Sequence, residues 1–145
     1  MTVKTITKNA LVPYTASQMY HLVNDIDSYA EFLPWCDESK VLEKTDSKIT
    51  ASINIAYGSV NKSFTTLNTL TPGERMDMEL IDGPFKTLQG EWLFTQLGDD
   101  GCKVSLNLDF EFKNKLLDIT MGPIFSKIAN TLVDSFTERA TNVYS

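Results

Sequence analysis

The sequence predicts an α+β fold in which a curved antiparallel sheet grips a long C-terminal helix. Three observations carry that expectation. Leu117, Met121, Ile124, Phe125, Ile128, Leu132, Phe136, Ala140 and Val143 recur three or four residues apart, the spacing of one helix face. Five or six strand-like segments precede them, most joined by short turns rich in Gly, Pro and Asp, the pattern of an antiparallel meander. Two short helical stretches sit between the first strand and the rest. A bulky apolar helix arriving after such strands must cover one face of their sheet, and where a bent sheet parts from it an apolar pocket is left.

Taken in order, residues 2–12 are β-branched and Thr-rich and read as a strand that stops at Pro13. Thr15 or Ser17 can cap a helix whose stripe is Met19, Tyr20, Leu22, Val23 and Ile26. Asp27 or Ser28 caps a second short turn carrying Tyr29, Phe32 and Leu33, ended by Pro34. From Ile49 to Tyr57 the odd positions are apolar and most even ones polar, giving one buried and one wet face. Gly58-Ser59 turns into a strand over 60–70, and Thr71-Pro72-Gly73 turns again into Met76, Met78 and Leu80. After Asp82-Gly83-Pro84 comes a strand over 88–97 with Trp92 and Phe94. The turn at 98–101 then leads to the clearest alternation, Cys102, Val104, Leu106, Leu108, Phe110 and Phe112. Gly122-Pro123 interrupts the helical stripe, so the last helix either starts there or kinks there, and either outcome would free 116–121 as a flap.

At 145 residues the chain reads as one domain, 1–145, large enough to bury roughly 68–70% of its unfolded surface. A net charge of −6 argues against DNA or broad phosphate-backbone binding, which depends on Lys and Arg releasing counterions. Lys113 with Lys115, and Lys40 with Lys44, are local basic pairs that read as solvated surface. Cys36 and Cys102 stand far apart outside any CxxC pattern; two free thiols are the default in a reducing cytoplasm, and a disulfide between them is the alternative that sequence leaves open. Without a signal-like, transit-like or membrane-spanning segment, the expected location is the cytoplasm, with any membrane contact peripheral.

The chemistry most enzymes need is missing from the patterning. His21 is the only histidine, and neither a zinc-ligand spacing, a nucleophile elbow nor a phosphate-binding glycine loop is present. The acidic pairs Asp25 with Asp27, Asp37 with Glu38, and Asp99 with Asp100 fall in turns or helix ends, where carboxylates belong without further role. The expectation is a non-enzyme without cofactor or metal.

Two segments go beyond patterning. Residues 22–36 end in Phe32-Leu33-Pro34-Trp35-Cys36, and residues 82–94 begin Asp82-Gly83-Pro84-Phe85 and continue with Leu88, Gly90 and Trp92. In this order, and followed by the long helix, they resemble the coenzyme Q-binding START-like family of the polyketide cyclase/SRPBCC superfamily. That family includes mitochondrial coenzyme Q-binding proteins and bacterial ribosome association toxins of the RatA type. The resemblance covers essentially the whole chain and points to the bacterial branch; Ala30 departs from the proline expected after the tyrosine. It implies a helix-grip (START/Bet v 1-like) fold and, as ligand, ubiquinone or a related isoprenoid quinone, carried without catalysis in support of respiratory electron transfer. It also implies two other roles: binding the large ribosomal subunit to hinder subunit association, and aromatic polyketide-type cyclisation. In a bacterial cell, peripheral contact would be with the inner membrane.

Inward alternation together with the family motifs selects the pocket candidates. Ile53, Ile55, Phe64, Trp92, Phe94, Leu106, Leu108 and Phe110 form the expected sheet wall. Ile124, Phe125, Ile128 and Leu132 form the helix wall, and Phe32, Trp35 and Phe85 the mouth, with Trp35 also suited to dipping into a membrane surface. A pocket of the usual ~300–1,000 Å³ would hold a quinone head group and a few isoprene units, each contributing roughly 3–4 kcal/mol if fully enclosed.

Overall fold

The computed structural model describes residues 3–144. The chain runs β1 (Lys4–Val12), α1 (Ala16–Asn24), a 3-10 helix (Ile26–Glu31), β2 (Cys36–Lys44), β3 (Lys48–Tyr57) and β4 (Val60–Thr71). It continues through β5 (Arg75–Asp82), β6 (Phe85–Leu97) and β7 (Gly101–Phe112) to α2 (Lys115–Tyr144). The seven strands form one antiparallel sheet in the order β1-β7-β6-β5-β4-β3-β2. Because β1 and β2 occupy opposite edges, the chain between them must travel the full width of the sheet. The two short helices are that crossing. Bulges between β2 and β3, β4 and β5, and β6 and β7 interrupt the register and let the sheet bend.

Local chemistry explains the element ends. Thr15 caps α1: its hydroxyl accepts the Gln18 N–H at 3.1 Å, and the Gln18 side chain accepts the Thr15 N–H at 2.8 Å. The Asn114 side chain accepts the Leu117 N–H at 2.8 Å and starts α2. Each inward position of β7, Cys102, Val104, Leu106, Leu108, Phe110 and Phe112, is buried, as its alternation requires.

Four expectations are corrected. β2 was not anticipated, because Asp37, Glu38, Lys40, Glu43 and Lys44 leave this edge strand almost no apolar alternation and two bulges break what remains. The 3-10 helix has Asp25 before it with no side-chain cap, while the Asp27 carboxylate accepts the Val41 N–H at 2.9 Å and ties the helix to β2. Phe85 lies in β6 rather than in a loop, paired with Phe112. α2 begins at Lys115, about two turns before Pro123, which therefore sits inside a continuous helix and removes one backbone hydrogen bond there. Asn114 supplies the start signal that the Gly122-Pro123 pair obscured.

Gly83 is the tightest backbone position of the motif at 82–94. Its φ is 149°, and a Cβ there would meet the Phe64 Cβ at 2.7 Å, whereas Gly58, with φ 59°, faces open space. Gly58→Ala should cost about 1–2 kcal/mol through its left-handed backbone alone. Gly83→Ala should cost about 3 kcal/mol, since backbone strain and overpacking coincide. Urea denaturation of the two variants measures the difference, and equal losses would remove the close packing of Phe64 from the account.

Candidate functional site

α2 is seated mainly on β1, β7 and α1, on one half of the concave face. Two aromatic residues about three turns apart hold it there. Phe125 packs into a cluster at one end, with ring centroids 4.7 Å from Phe110 and 4.9 Å from Phe85. Phe136 packs at the other end, 5.3 Å from each of Trp92, Tyr29 and Phe32. Between them the helix presents the aliphatic residues Ile128, Ala129, Leu132 and Val133, and the interior is not filled.

The resulting cavity has a volume of about 80 Å³. β3 contributes Ala51 and Ile53, β4 Phe64, Thr66 and Asn68, and β5 Met76 and Met78. Leu88, Trp92, Leu106 and Leu108 come from β6 and β7, and Phe125, Ile128, Ala129, Leu132 and Phe136 from α2. Ile26, Tyr29 and Trp35, from the crossing segment, complete the wall. Ile53, Phe64, Met78 and Leu132 are only half-buried.

Nine of the fifteen candidate residues therefore border the cavity: Trp35, Ile53, Phe64, Trp92, Leu106, Leu108, Phe125, Ile128 and Leu132. The other six do not. Phe85 and Phe110 are locked in the aromatic cluster around Phe125. Phe94 packs edge-on against Tyr20, Ile55 is buried beyond the cavity in β3, and Ile124 is half-buried on α2. Phe32 packs edge-on against Phe136, with the Arg139 guanidinium over its own ring, 4.8 Å from the centroid. Trp35 is only 8% exposed, so it faces the interior rather than a membrane surface. The resting cavity is well below the expected 300 Å³ because Phe125, Phe136 and Trp92 project into the same space.

Thr66 and Asn68 are the lining residues that pattern reading missed. Both are buried; the Thr66 hydroxyl donates to the Asn68 carbonyl oxygen at 3.3 Å, and the Asn68 amide donates to the Ile49 carbonyl at 3.2 Å. Phe64 and Leu70 share their strand parity, and that parity could have placed both polar residues inside. The described lining residues include no carboxylate, imidazole, thiol or cationic group. The Tyr29 hydroxyl donates to the Val23 carbonyl, and burial, with Asp25 and Cys36 adding to it, pushes its pKa far above the ordinary value of about 10. Burial also raises the pKa of the Cys36 and Cys102 thiols, both free. Among the described residues no group of three or more His, Cys, Asp or Glu could hold a metal ion.

The motif at 82–94 acquires a structural meaning. Leu88 and Trp92 point into the cavity, and a Cβ at Gly90 would meet the Asn107 carbonyl oxygen and Leu108 Cδ1, each at 2.8 Å, so glycine lets the β7 backbone and that leucine lie close against β6. Phe85 anchors the filled end.

Residues 12–137 match the family described as polyketide cyclase / dehydrase and lipid transport. A ribosome association toxin RatA of Vibrio cholerae is 47% identical over 141 residues, covering 97% of this chain and 98% of that protein. The mitochondrial coenzyme Q-binding protein COQ10 of Drosophila melanogaster is 29% identical over 142 residues, 95% of this chain and 55% of its own length. Among solved structures, the Zhui aromatase/cyclase from Streptomyces superposes with a TM-score of 0.88 over 99% of this chain and 97% of its own. At 12% identity that likeness shows the fold alone. The architecture is the helix-grip arrangement of START-like proteins, as expected from the sequence.

Tyr29 makes a prediction about pH. Its pKa is raised in the folded protein, so its contribution to stability is complete below about pH 10 and is lost as pH climbs from there toward the folded value. Tyr29→Phe should therefore show a shallower fall in unfolding free energy above about pH 10 than the parent protein, read by urea titration across that range. Parallel alkaline declines would mean that Tyr29 ionises as freely in the fold as outside it.

Proposed function

The chain belongs to the polyketide cyclase / dehydrase and lipid transport family, and from that premise we propose that it binds an isoprenoid quinone, or a lipid of that kind, in the cavity beneath α2. It would act as a non-catalytic carrier supporting respiratory electron transfer. The observation that carries this reading is the lining itself: apolar side chains on every wall, a small polar set at Thr66 and Asn68, and no acid–base or nucleophilic pair. The kinship with a coenzyme Q-binding protein supports it. A guest larger than a few atoms must displace side chains, and the lining supplies adaptable ones in Met76 and Met78. Each enclosed CH₂ contributes about 0.8 kcal/mol toward that opening. The long tail stays outside or in the bilayer. Leu116 and Ile119, exposed one turn apart on α2 beside Lys113 and Lys115, suit a transient stop at an anionic membrane surface. No helix among the described residues is long and apolar enough to cross a membrane.

A second reading is favoured by the 47% identity, over nearly the whole chain, to a ribosome association toxin: docking on the large ribosomal subunit to hinder subunit association. It uses the opposite face of the sheet, where Asp77, Glu79, Glu91 and Asp109 surround a groove of about 380 Å³. Arg75 neutralises part of this surface through Asp77 and Glu91, each at 2.7 Å. A face of this charge suits a basic ribosomal protein better than exposed RNA. The two readings occupy different surfaces and can coexist. Cyclisation of an aromatic substrate ranks last, because Thr66, Asn68 and the Trp35 indole can hold an oxygen atom but offer no proton-transfer group near neutral pH.

Mass spectrometry of an organic extract of the protein purified from its own cells tests the first reading. An isoprenoid quinone is expected at near-stoichiometric level, and Leu132→Trp, which fills the cavity from a half-buried position, should lower it at least about tenfold with the melting temperature little changed. A lipid-free extract from the parent protein would count against the carrier. For the second reading, salt-sensitive co-sedimentation with large subunits should weaken in Glu91→Lys and survive in Leu132→Trp; absence of co-sedimentation removes it.

A further inference from the structure

Trp35 Nε1 is a buried donor without a hydrogen-bond partner, and its ring borders the cavity. A buried N–H left unpaired costs on the order of 1–3 kcal/mol, so its retention on a cavity wall calls for a reason. Two further groups on that cavity have capacity to spare. Asn68 commits one amide hydrogen to the Ile49 carbonyl and keeps a second, and Thr66, which donates to Asn68, retains its acceptor lone pairs. The Tyr29 hydroxyl is already committed to Val23. The spare groups are thus chiefly donors, in a chamber otherwise lined by hydrocarbon and aromatic rings.

We propose that Trp35 Nε1 and the Asn68 amide form a polar subsite that takes acceptor oxygens of a neutral head group, so that the ligand enters head first with its apolar tail directed outward past Ile53, Phe64 and Leu132. This rests on the carrier reading and deepens it: the ligand class is a carbonyl-, ether- or hydroxyl-bearing ring on an apolar tail, not a plain hydrocarbon and not a cation. The cavity's half-buried rim fits the direction of exit. Satisfying both donors also explains how a small cavity would discriminate among greasy molecules of similar size, since leaving them unpaired disfavours guests without oxygen.

Two probes test the subsite: a ubiquinone analogue with a short saturated tail, and the alkylbenzene of matching length that lacks its oxygens. Affinities are compared for the parent protein, Trp35→Phe and Asn68→Leu, with Asn68→Met as a second removal of the amide should Asn68→Leu fail to fold. The quinone should bind the parent protein at least about tenfold more tightly than the alkylbenzene. Each variant should weaken quinone binding about tenfold and leave alkylbenzene binding within about twofold. The Trp35 indole N–H resonance, distinguished from that of Trp92 with Trp92→Phe, should move downfield with the quinone only. Equal weakening for both probes, unchanged quinone affinity in the variants, or an unmoved indole resonance would overturn the subsite while leaving the carrier standing. Binding of neither probe to the parent protein would overturn both.

Discussion

The architecture depends on how α2 is propped against the sheet. Phe125 and Phe136, about three turns apart, each enter an aromatic cluster, and each cluster fills one end of the concave face. Burying a ring of this size contributes roughly 1.5–3 kcal/mol, so both ends are firmly held. The smaller Ile128, Ala129 and Leu132 lie between them and do not reach the facing strands closely enough to exclude space. A cavity in the middle follows from large rings at the ends. Further ties hold the ends of α2: Lys4 pairs with Asp118 at 3.2 Å near its start, and the Tyr144 hydroxyl donates to the Gln18 carbonyl at 2.9 Å near its finish. A guest would therefore be admitted by movement of side chains in the middle of the grip rather than by detachment of the helix.

Much of this was legible because two periodicities are unusually clean. The alternation through Phe112 gave β7 its inward face residue by residue, and the three–four spacing from Met121 to Ala140 identified the seated face of α2. What escaped were features decided by tertiary partners. β2 carries charge because it is a sheet edge, and an edge needs no second apolar face. Val143 continues the helical spacing but is 48% exposed, although the adjacent Tyr144 still packs against Tyr14. Phe85 and Phe110 were legible as inward but not as remote from the cavity. Which inward residues pack and which enclose space depends on neighbours across the sheet, and alternation carries no such information. Thr66 and Asn68 are hidden for the opposite reason: their polarity mimics a wet face, although Phe64 and Leu70 set the strand parity that turns both inward.

The two faces of the sheet differ in chemical character, and this separates the functional readings physically. The concave face is apolar with a few uncharged polar groups, so its affinities should be insensitive to salt and governed by the area removed from water. The convex face carries the Arg75–Asp77–Glu91 cluster, with the Asn107 amide donating to Glu91 at 3.0 Å, and any partner there meets a screened, charge-dependent surface. A relative's name can reflect either face. Ligand occupancy inside and partner docking outside would be coupled only if filling the cavity altered the bend of the sheet that both share.

The central claim is that the gap between the two aromatic clusters accepts an apolar guest. Methyl-resolved NMR during titration with a short-tailed quinone tests it most directly. The account predicts saturable shifts at Ile53, Leu106, Leu108, Ile128 and Leu132, all on the cavity wall, with Leu11 and Leu42 on the exposed surface unmoved. Shifts confined to exposed methyl groups, or none at ligand concentrations that saturate ordinary lipid carriers, would contradict it.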